Sequence, residues 1–180
     1  MRYIVLITLL LVATTQLEDI DTSTPLEAVS IQRVDPKEAK CLATTIYGEA
    51  RGESVKGQIA VAYTAVNRAT NRRICQVVLA PKQYSVFNDN PSLRKAAMSL
   101  KIVPRQKNII DVISWKQATE IAEAILKKEI PDPTNGATHY FSPSLMKIKG
   151  YIYPAWVKEY KLVAVIDRHK FYKPKEKRLI

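Results

Sequence analysis

Glu49 is the residue of this chain best placed for acid–base chemistry. It lies near the end of a predicted helix that begins at Asp35, a capping side chain, and Pro36, whose missing N–H costs nothing in the first turn. Glu49 falls at the border of the apolar stripe of this helix, where its carboxyl group is expected to be half desolvated. Because desolvation favours the protonated form of a carboxyl group, Glu49 is predicted to donate a proton near neutral pH.

The apolar residues of this first helix recur at helical spacing and bury one stripe, which consists of Ala39, Leu42, Ala43, Ile46, Tyr47 and Ala50. Gly52 follows, and a glycine there can take the positive φ that ends a helix. A second helix over 57–68 is apolar almost all round, so it is expected to be central and buried. The alternative for Glu49 is a solvated side chain, or one paired with Arg51 or Lys56.

Six segments, in order along the chain, resemble one known family. They are 41–53, which contains YGEARGE, 57–62 (GQIAVA), 66–68 (VNR), 82–85 (KQYS), 132–141 (DPTNGATHYF) and 167–172 (DRHKFY). Together they resemble SleB-like cell-wall hydrolases, which include spore-cortex-lytic enzymes and related phage and bacterial peptidoglycan hydrolases. The resemblance covers about Lys37 to Tyr172. It implies an α+β, mostly helical, lysozyme-like catalytic domain with a small β element and a groove for a polysaccharide.

The resemblance points to Glu49 as the catalytic acid for the bond between N-acetylmuramic acid and N-acetylglucosamine. Glycosidases usually add a second carboxylate, but none of the candidates has a convincing context; they are Glu53, Asp89, Asp111 and Asp132. Glu53 is expected instead to cap the next helix. A lytic transglycosylase needs only one Glu, so this mechanism is the expectation. The alternatives are a hydrolytic muramidase and, in another class, a noncatalytic peptidoglycan-binding module.

Five residues are predicted to bind substrate. Tyr140 is similar to a Tyr that lines the family's groove, where a phenol could orient Glu49 or contact an acetamido group. Gln83 and Ser85 lie in a predicted loop whose polar groups suit sugar contacts.

The other two are Gln58 and His139, and each has a structural alternative. Gln58 is a candidate partner of Glu49, or a buried structural amide. His139 adjoins Tyr140 and is more often structural in such a setting. Trp156 is expected in the core.

The two ends of the chain differ in character. Arg2 precedes a short apolar run at 4–13, the layout of a secretory signal. The sequence therefore predicts an export segment at 1–15, a tether at 16–34, a cell-wall hydrolase domain at 35–172 and a basic tail at 173–180. The residues from 170 onwards are expected to form a solvated, cationic end. We expect an exported protein of the periplasm or cell envelope, with a cleaved signal or a transient anchor.

Charge and cysteine content narrow the class of partner. The 180 residues carry a net charge of +11, which favours polyanionic partners such as anionic envelope components. Because the basic residues are scattered, nucleic acid is not the expected partner. Peptidoglycan is the expected partner. The protein is expected to be a monomer that acts in phage lysis or wall remodelling.

Cys41 and Cys75 permit one disulfide or two buried thiols. No metal and no cofactor are expected, since neither His has a second ligand at suitable spacing.

The remaining elements are read from periodicity and breakers. Helices are predicted at 74–79, 91–100 and 115–128, the last with Ser114 as its cap, and short extended segments at 137–142 and 162–166. The stretch between the two extended segments reads as a loop. This pattern favours an α+β domain that is mostly helical.

Overall fold

The computed structural model describes residues 33–175, in which seven α-helices precede or flank a small sheet. The elements are α1 (Pro36–Ala50), α2 (Val55–Arg68), α3 (Ile74–Val78), α4 (Ser85–Asp89), α5 (Pro91–Met98), α6 (Ile109–Leu126), β1 (His139–Phe141), α7 (Pro143–Ile148), a 3₁₀ helix (Ala155–Lys158), β2 (Tyr160–Ile166) and β3 (His169–Pro174). The predicted α+β, mostly helical class is confirmed. The predicted export segment, the tether up to residue 32 and the tail from 176 lie outside the described residues.

Helix α1 begins as its sequence predicts. The Asp35 carboxylate accepts a hydrogen bond from the Lys37 backbone N–H at 2.8 Å, and Pro36 occupies the first turn. All six residues of the predicted stripe are buried. The expected role of Gly52 is wrong, because α1 ends at Ala50, its C-cap residue Arg51 has an ordinary right-handed conformation and Gly52 does not have positive φ. The chain needs no left-handed residue there to turn into α2.

Helix α2 is buried on two sides, as its uniformly apolar sequence predicts. Ala62 and Ala65 belong to the core between the helices, which α1 and α6 share. Ala60 and Val61 belong to a second core, where they pack with residues of the sheet such as Phe171. The helix therefore separates the helical layer from the sheet.

The three strands form an antiparallel sheet in the order β1-β3-β2, so the last strand along the described chain is the central one. Tyr140 pairs with Phe171 on one side of β3, and Leu162 pairs with Tyr172 on the other. The expectation of a solvated end from residue 170 is wrong: Phe171 and Tyr172 are buried. The lysines of β3 give this segment a charged composition. The sequence therefore suggested a solvated end, although the aromatic side chains of the strand pack in the core.

Two further expectations about the helices are wrong. Helix α6 starts at Ile109, well before the predicted Trp115, and its cap is Asn108, whose side-chain oxygen accepts from the Asp111 N–H at 2.9 Å. Ile109 is 68% exposed, so the apolar periodicity of the buried face does not mark the first turns. Helices α4 and α7 lie in stretches predicted as loops, and both are too short to show a helical period. Among residues 33–175, no helix combines the length and the apolar character that a bilayer crossing requires.

A disulfide joins Cys41 in α1 to Cys75 in α3, with 5.3 Å between their Cα atoms. The same two helices are linked by the Glu38 carboxylate, which accepts from the Ile74 N–H and forms an ion pair with Arg73. The short helix α3 is thereby fixed against the helix that carries Glu49.

Replacing both cysteines, as Cys41→Ala with Cys75→Ala, is expected to lower the free energy of unfolding by about 2–4 kcal/mol. The bond closes a loop over a sequence separation of 34 residues, and opening it returns conformational entropy to the unfolded chain. Urea titration monitored by circular dichroism measures the loss. Reduced parent protein should unfold at the midpoint of the variant, and equal midpoints for oxidised parent and variant would contradict the prediction.

Candidate active site

The Glu49 carboxylate, in the last turn of α1, is bound at both of its oxygens. Oε1 accepts from the Val86 backbone N–H at 3.0 Å and from the Ser85 hydroxyl at 3.3 Å. Oε2 accepts from the Tyr140 hydroxyl at 3.1 Å. Donors from two separate segments of the chain therefore fix the orientation of this side chain.

Glu49 faces a cavity of about 440 Å³. One wall comes from 82–85 and the other from 138–142, and the rest of the lining consists of Arg68, Leu145, Met146, Trp156 and His169. Within the described part of the chain, Glu49 is the only carboxylate among the residues that line this cavity. The volume and the mixed polar and aromatic walls suit a small part of a polar polymer such as a sugar unit.

Gly48 allows α4 to approach Glu49. A Cβ at Gly48 would lie 2.2 Å from Val86 Cγ2, which is far inside contact distance. Val86 therefore packs directly on the α1 backbone, and its N–H reaches the Glu49 carboxylate. The next residue, Phe87, is buried in the core between the helices and holds α4 in place.

Tyr140 is positioned by the sheet. Its ring stacks on Phe171, with 5.8 Å between centroids, and meets the edge of His169 at 5.2 Å. Burial, followed by the charge of Glu49, raises the pKa of Tyr140 well above its usual value. The phenol therefore stays protonated and acts as a hydrogen-bond donor to Glu49.

The loop before β1 is organised by Asp132. Its carboxylate accepts from the Asn67 side-chain amide at 2.9 Å, from the Thr134 N–H at 2.7 Å and from the Gly136 N–H at 2.9 Å. Burial alone would raise the pKa of Asp132, but these hydrogen bonds outweigh it and the pKa is lowered. Asp132 is thus an ionised structural group that fixes the path of the chain towards Tyr140.

The Glu53 carboxylate also has structural partners. Its side chain is 7% exposed, forms an ion pair with Arg168 and lies 4.0 Å from His169 Nδ1. The expectation that Glu53 caps α2 is wrong, because Ser54 is the cap and accepts from the Gly57 N–H at 3.2 Å. Burial lowers the pKa of His169 despite the neighbouring Glu53 charge, so this imidazole is neutral near pH 7.

The remaining two carboxylates lie outside the cavity lining. Asp89 is exposed at the end of α4, and Asp111 accepts from the Lys107 N–H at 3.0 Å in the first turn of α6.

Four of the five residues predicted to bind substrate line the cavity with Glu49: Gln83, Ser85, His139 and Tyr140. Gln58 does not. It is 2% exposed, and its amide nitrogen donates to Gln117 Oε1 at 2.9 Å and to the Glu53 carbonyl at 3.1 Å. The expected contact between Gln58 and Glu49 is corrected accordingly: α2 directs this side chain towards α6.

His139 and Trp156 form one aromatic group at the cavity. The His139 ring lies 5.0 Å from the Trp156 ring and 4.5 Å from that of Tyr160. Burial, followed by the charge of Arg68, lowers the pKa of His139 and keeps it neutral. Trp156, expected in the core, instead lines the cavity from the 3₁₀ helix.

Sequence reasoning missed several residues of the lining, among them Arg68, Lys82, Met146 and His169. A signal existed for three of them, because Arg68 closes the VNR segment, Lys82 opens the KQYS segment and His169 lies in the DRHKFY segment. Met146 had none, since its short helix α7 was not predicted.

Comparison with known proteins identifies the class that this fold and cavity define. A family model described as Cell Wall Hydrolase matches residues 52–172, more than half of the chain. The chain belongs to the cell wall hydrolase family. Glu49 lies just before the matched range.

One curated relative is a spore cortex-lytic enzyme of Bacillus cereus, 26% identical over 140 residues. The match covers 73% of this chain but 42% of the relative, so the chain spans less than half the length of the curated relatives it matches. Among solved structures, the catalytic domain of the Bacillus cereus SleB protein aligns with a TM-score of 0.56 and 22% identity, over 79% of this chain and 94% of that one.

The catalytic domain of the germination-specific lytic transglycosylase SleB from Bacillus anthracis aligns with a TM-score of 0.56 and 21% identity, over 79% of this chain and 98% of that one. These structural matches confirm the lysozyme-like fold.

Gly48→Ala is expected to lower the free energy of unfolding by about 1–3 kcal/mol, because the new methyl group collides with Val86. Helix propensity alone would favour alanine at this helical position by about 0.5–1 kcal/mol, so a net loss isolates the collision. Chemical denaturation measures stability, and the NMR shift of the Val86 amide reports its hydrogen bond to Glu49.

The matched control is Gly52→Ala, where the atom nearest to the new Cβ is Arg168 Nη2 at 3.9 Å. This variant should unfold within about 0.5 kcal/mol of the parent. A stable Gly48→Ala protein with an unchanged Val86 amide would show that the close approach is not required.

Proposed function

We propose that this protein cleaves peptidoglycan glycan strands between N-acetylmuramic acid and N-acetylglucosamine, as a lytic transglycosylase with Glu49 as its single acid and base. The observation that carries the proposal is the Glu49 carboxyl group, bound at both oxygens and exposed to a cavity whose described lining holds no second carboxylate. Membership of the cell wall hydrolase family supports it. So does the description of the Bacillus anthracis structural relative as a lytic transglycosylase.

In the first step, protonated Glu49 gives its proton to the glycosidic oxygen. The bond from this oxygen to C1 of the muramic residue breaks, and positive charge develops at C1. In the second step, the 6-hydroxyl of the same residue attacks C1 and its proton passes to the Glu49 carboxylate. The products are a free 4-hydroxyl on one fragment and a 1,6-anhydro end on the other, with Glu49 protonated again.

The partners of Glu49 suit both steps. A hydroxyl can donate or accept, so Tyr140 and Ser85 can accept from protonated Glu49 and donate to its carboxylate. The Val86 N–H can only donate, and it holds Oε1 in either state. The side chain can therefore lose and regain its proton without changing its position.

The two alternatives are less well supported. A hydrolytic muramidase normally uses a second carboxylate to activate water or to attack the sugar, and Glu53 and Asp132 are occupied by structural partners. A noncatalytic binding module has no need for a carboxyl group held by three donors inside the cavity.

The proposal includes an exported protein that acts as a monomer in the cell envelope, as a phage endolysin or a wall-remodelling enzyme. The Cys41–Cys75 disulfide supports export, because disulfides persist in oxidising compartments. The charge of +11 supports weak attraction to anionic envelope components.

Glu49→Gln is expected to lower fragment release from purified murein by roughly 100- to 10,000-fold, because glutamine cannot deliver a proton. Binding to sedimented murein should be retained, which separates an enzyme from a binding module. Mass spectrometry of the parent digest should show 1,6-anhydromuramic ends, and reducing muramic ends would instead identify a hydrolase. Undiminished release by the variant would remove Glu49 from the chemistry.

Tyr140→Phe is expected to lower kcat on murein fragments by about 10- to 100-fold with little change in KM, because Glu49 loses the donor at Oε2. The control is Tyr63→Phe, which deletes a hydroxyl that donates to the Ile130 carbonyl outside the cavity. Equal losses in the two variants would attribute the effect to stability rather than to the orientation of Glu49.

A further inference from the structure

The lining of the cavity includes two cations, Arg68 and Lys82, that form no salt bridge with any residue that the structure describes. The carboxylate of the same lining, Glu49, is instead bound by Ser85, Val86 and Tyr140. Cations that face a cavity without a carboxylate partner are suited to an anionic ligand.

Arg68 is held in place before any ligand arrives. It is the last residue of α2, and its guanidinium carbon lies 5.4 Å from the centre of the Tyr84 ring. Tyr84 is 3% exposed, and its hydroxyl lies 3.4 Å from that of Thr64. A guanidinium positioned by an aromatic ring on a rigid helix loses little entropy when it binds a carboxylate.

Lys82 lies at the rim of the cavity in the left-handed backbone region, with φ of 61°. Its backbone N–H donates to the Asn88 side-chain oxygen at 3.3 Å, which ties the turn to α4. The lysine side chain is exposed, so it can follow a flexible anionic group that Arg68 anchors.

We infer that Arg68 and Lys82 form a subsite for a carboxylate on the lactyl substituent of the muramic residue beside the cleaved bond. N-acetylmuramic acid differs from N-acetylglucosamine by this substituent, whose carboxyl group is free or carries a peptide stem with carboxylates of its own. A guanidinium pairs with either kind of carboxylate through charge-assisted hydrogen bonds. The subsite rests on the proposed function, and it would distinguish the muramic residue from its neighbour at Glu49.

The test measures binding of the full chain carrying Glu49→Gln, so that strands remain intact. The ligands are peptide-free strands with free lactyl carboxylates, the same strands after methyl esterification, peptide-bearing strands with and without esterification, and neutral N-acetylglucosamine oligomers. The variants add Arg68→Gln with Lys82→Gln, or Lys82→Gln alone. The control adds Arg72→Gln with Lys101→Gln, two exposed cations outside the cavity whose loss removes the same charge.

The protein with Glu49→Gln alone should bind strands with free carboxylates at least about 10-fold more tightly than esterified strands. The double variant should lose this preference, Lys82→Gln alone should weaken it, and the control should keep it. A preference on peptide-free strands assigns the lactyl carboxylate, and one confined to peptide-bearing strands assigns the stem.

An unchanged preference in the double variant, or an equal loss in the control, would overturn the subsite. So would a double variant that no longer folds, by circular dichroism, combined with full preference in Lys82→Gln.

Failure of the subsite and failure of the proposed function give different results. If the chain with Glu49 intact releases no fragments, the proposed function fails, and glycan binding by the Glu49→Gln protein would then indicate a noncatalytic binding module. If the chain cleaves strands but esterification leaves affinity unchanged, only the carboxylate subsite is wrong.

Discussion

The Glu49 carboxylate is held between two walls that come from distant parts of the chain. Val86 and Ser85 bind one oxygen from the start of α4, and Tyr140 binds the other from β1. Each wall alone would leave one oxygen free to rotate into water. The packing of α4 on Gly48 and the pairing of β1 with β3 are therefore constraints on one side chain, and the fold satisfies both at once.

Three other acids near the cavity serve the architecture. Asp132 accepts hydrogen bonds from backbone N–H groups of the loop before β1, and Glu53 forms an ion pair with Arg168. Asp167 accepts from the backbone N–H and hydroxyl of Ser54 at 3.0 and 2.7 Å, which docks the turn between β2 and β3 onto the start of α2. Each of these three carboxylates is paired with hydrogen-bond donors or with a cation of the scaffold. Among the described residues, Glu49 is therefore the carboxylate that faces the cavity.

Long periodic segments could be predicted from the sequence, and short or two-sided ones could not. The stripe of α1 and the uniform burial of α2 follow directly from residue spacing. The start of α6 was misplaced because Ile109 is apolar yet exposed, which breaks the link between hydrophobicity and burial. Likewise, the lysines of β3 suggested a solvated end, although Phe171 is fully buried.

The candidate site was only partly accessible to the same reasoning. Glu49, Tyr140 and Ser85 fall in recognisable segments, whereas their mutual distances depend on tertiary packing. The direction of Gln58 depended on which neighbour α2 faces, and spacing along one helix does not contain that information.

The central strand of the sheet, β3, is also the last element along the described chain, and this determines when the site can assemble. Strand β3 sets the register of the three-residue β1, yet it is the final element of the described chain to be synthesised. Glu49 and Tyr140 are both synthesised before the strand that holds Tyr140 in place. A nascent chain therefore carries its acid without an assembled site, and the protein can become active only once Phe171 has docked beneath Tyr140.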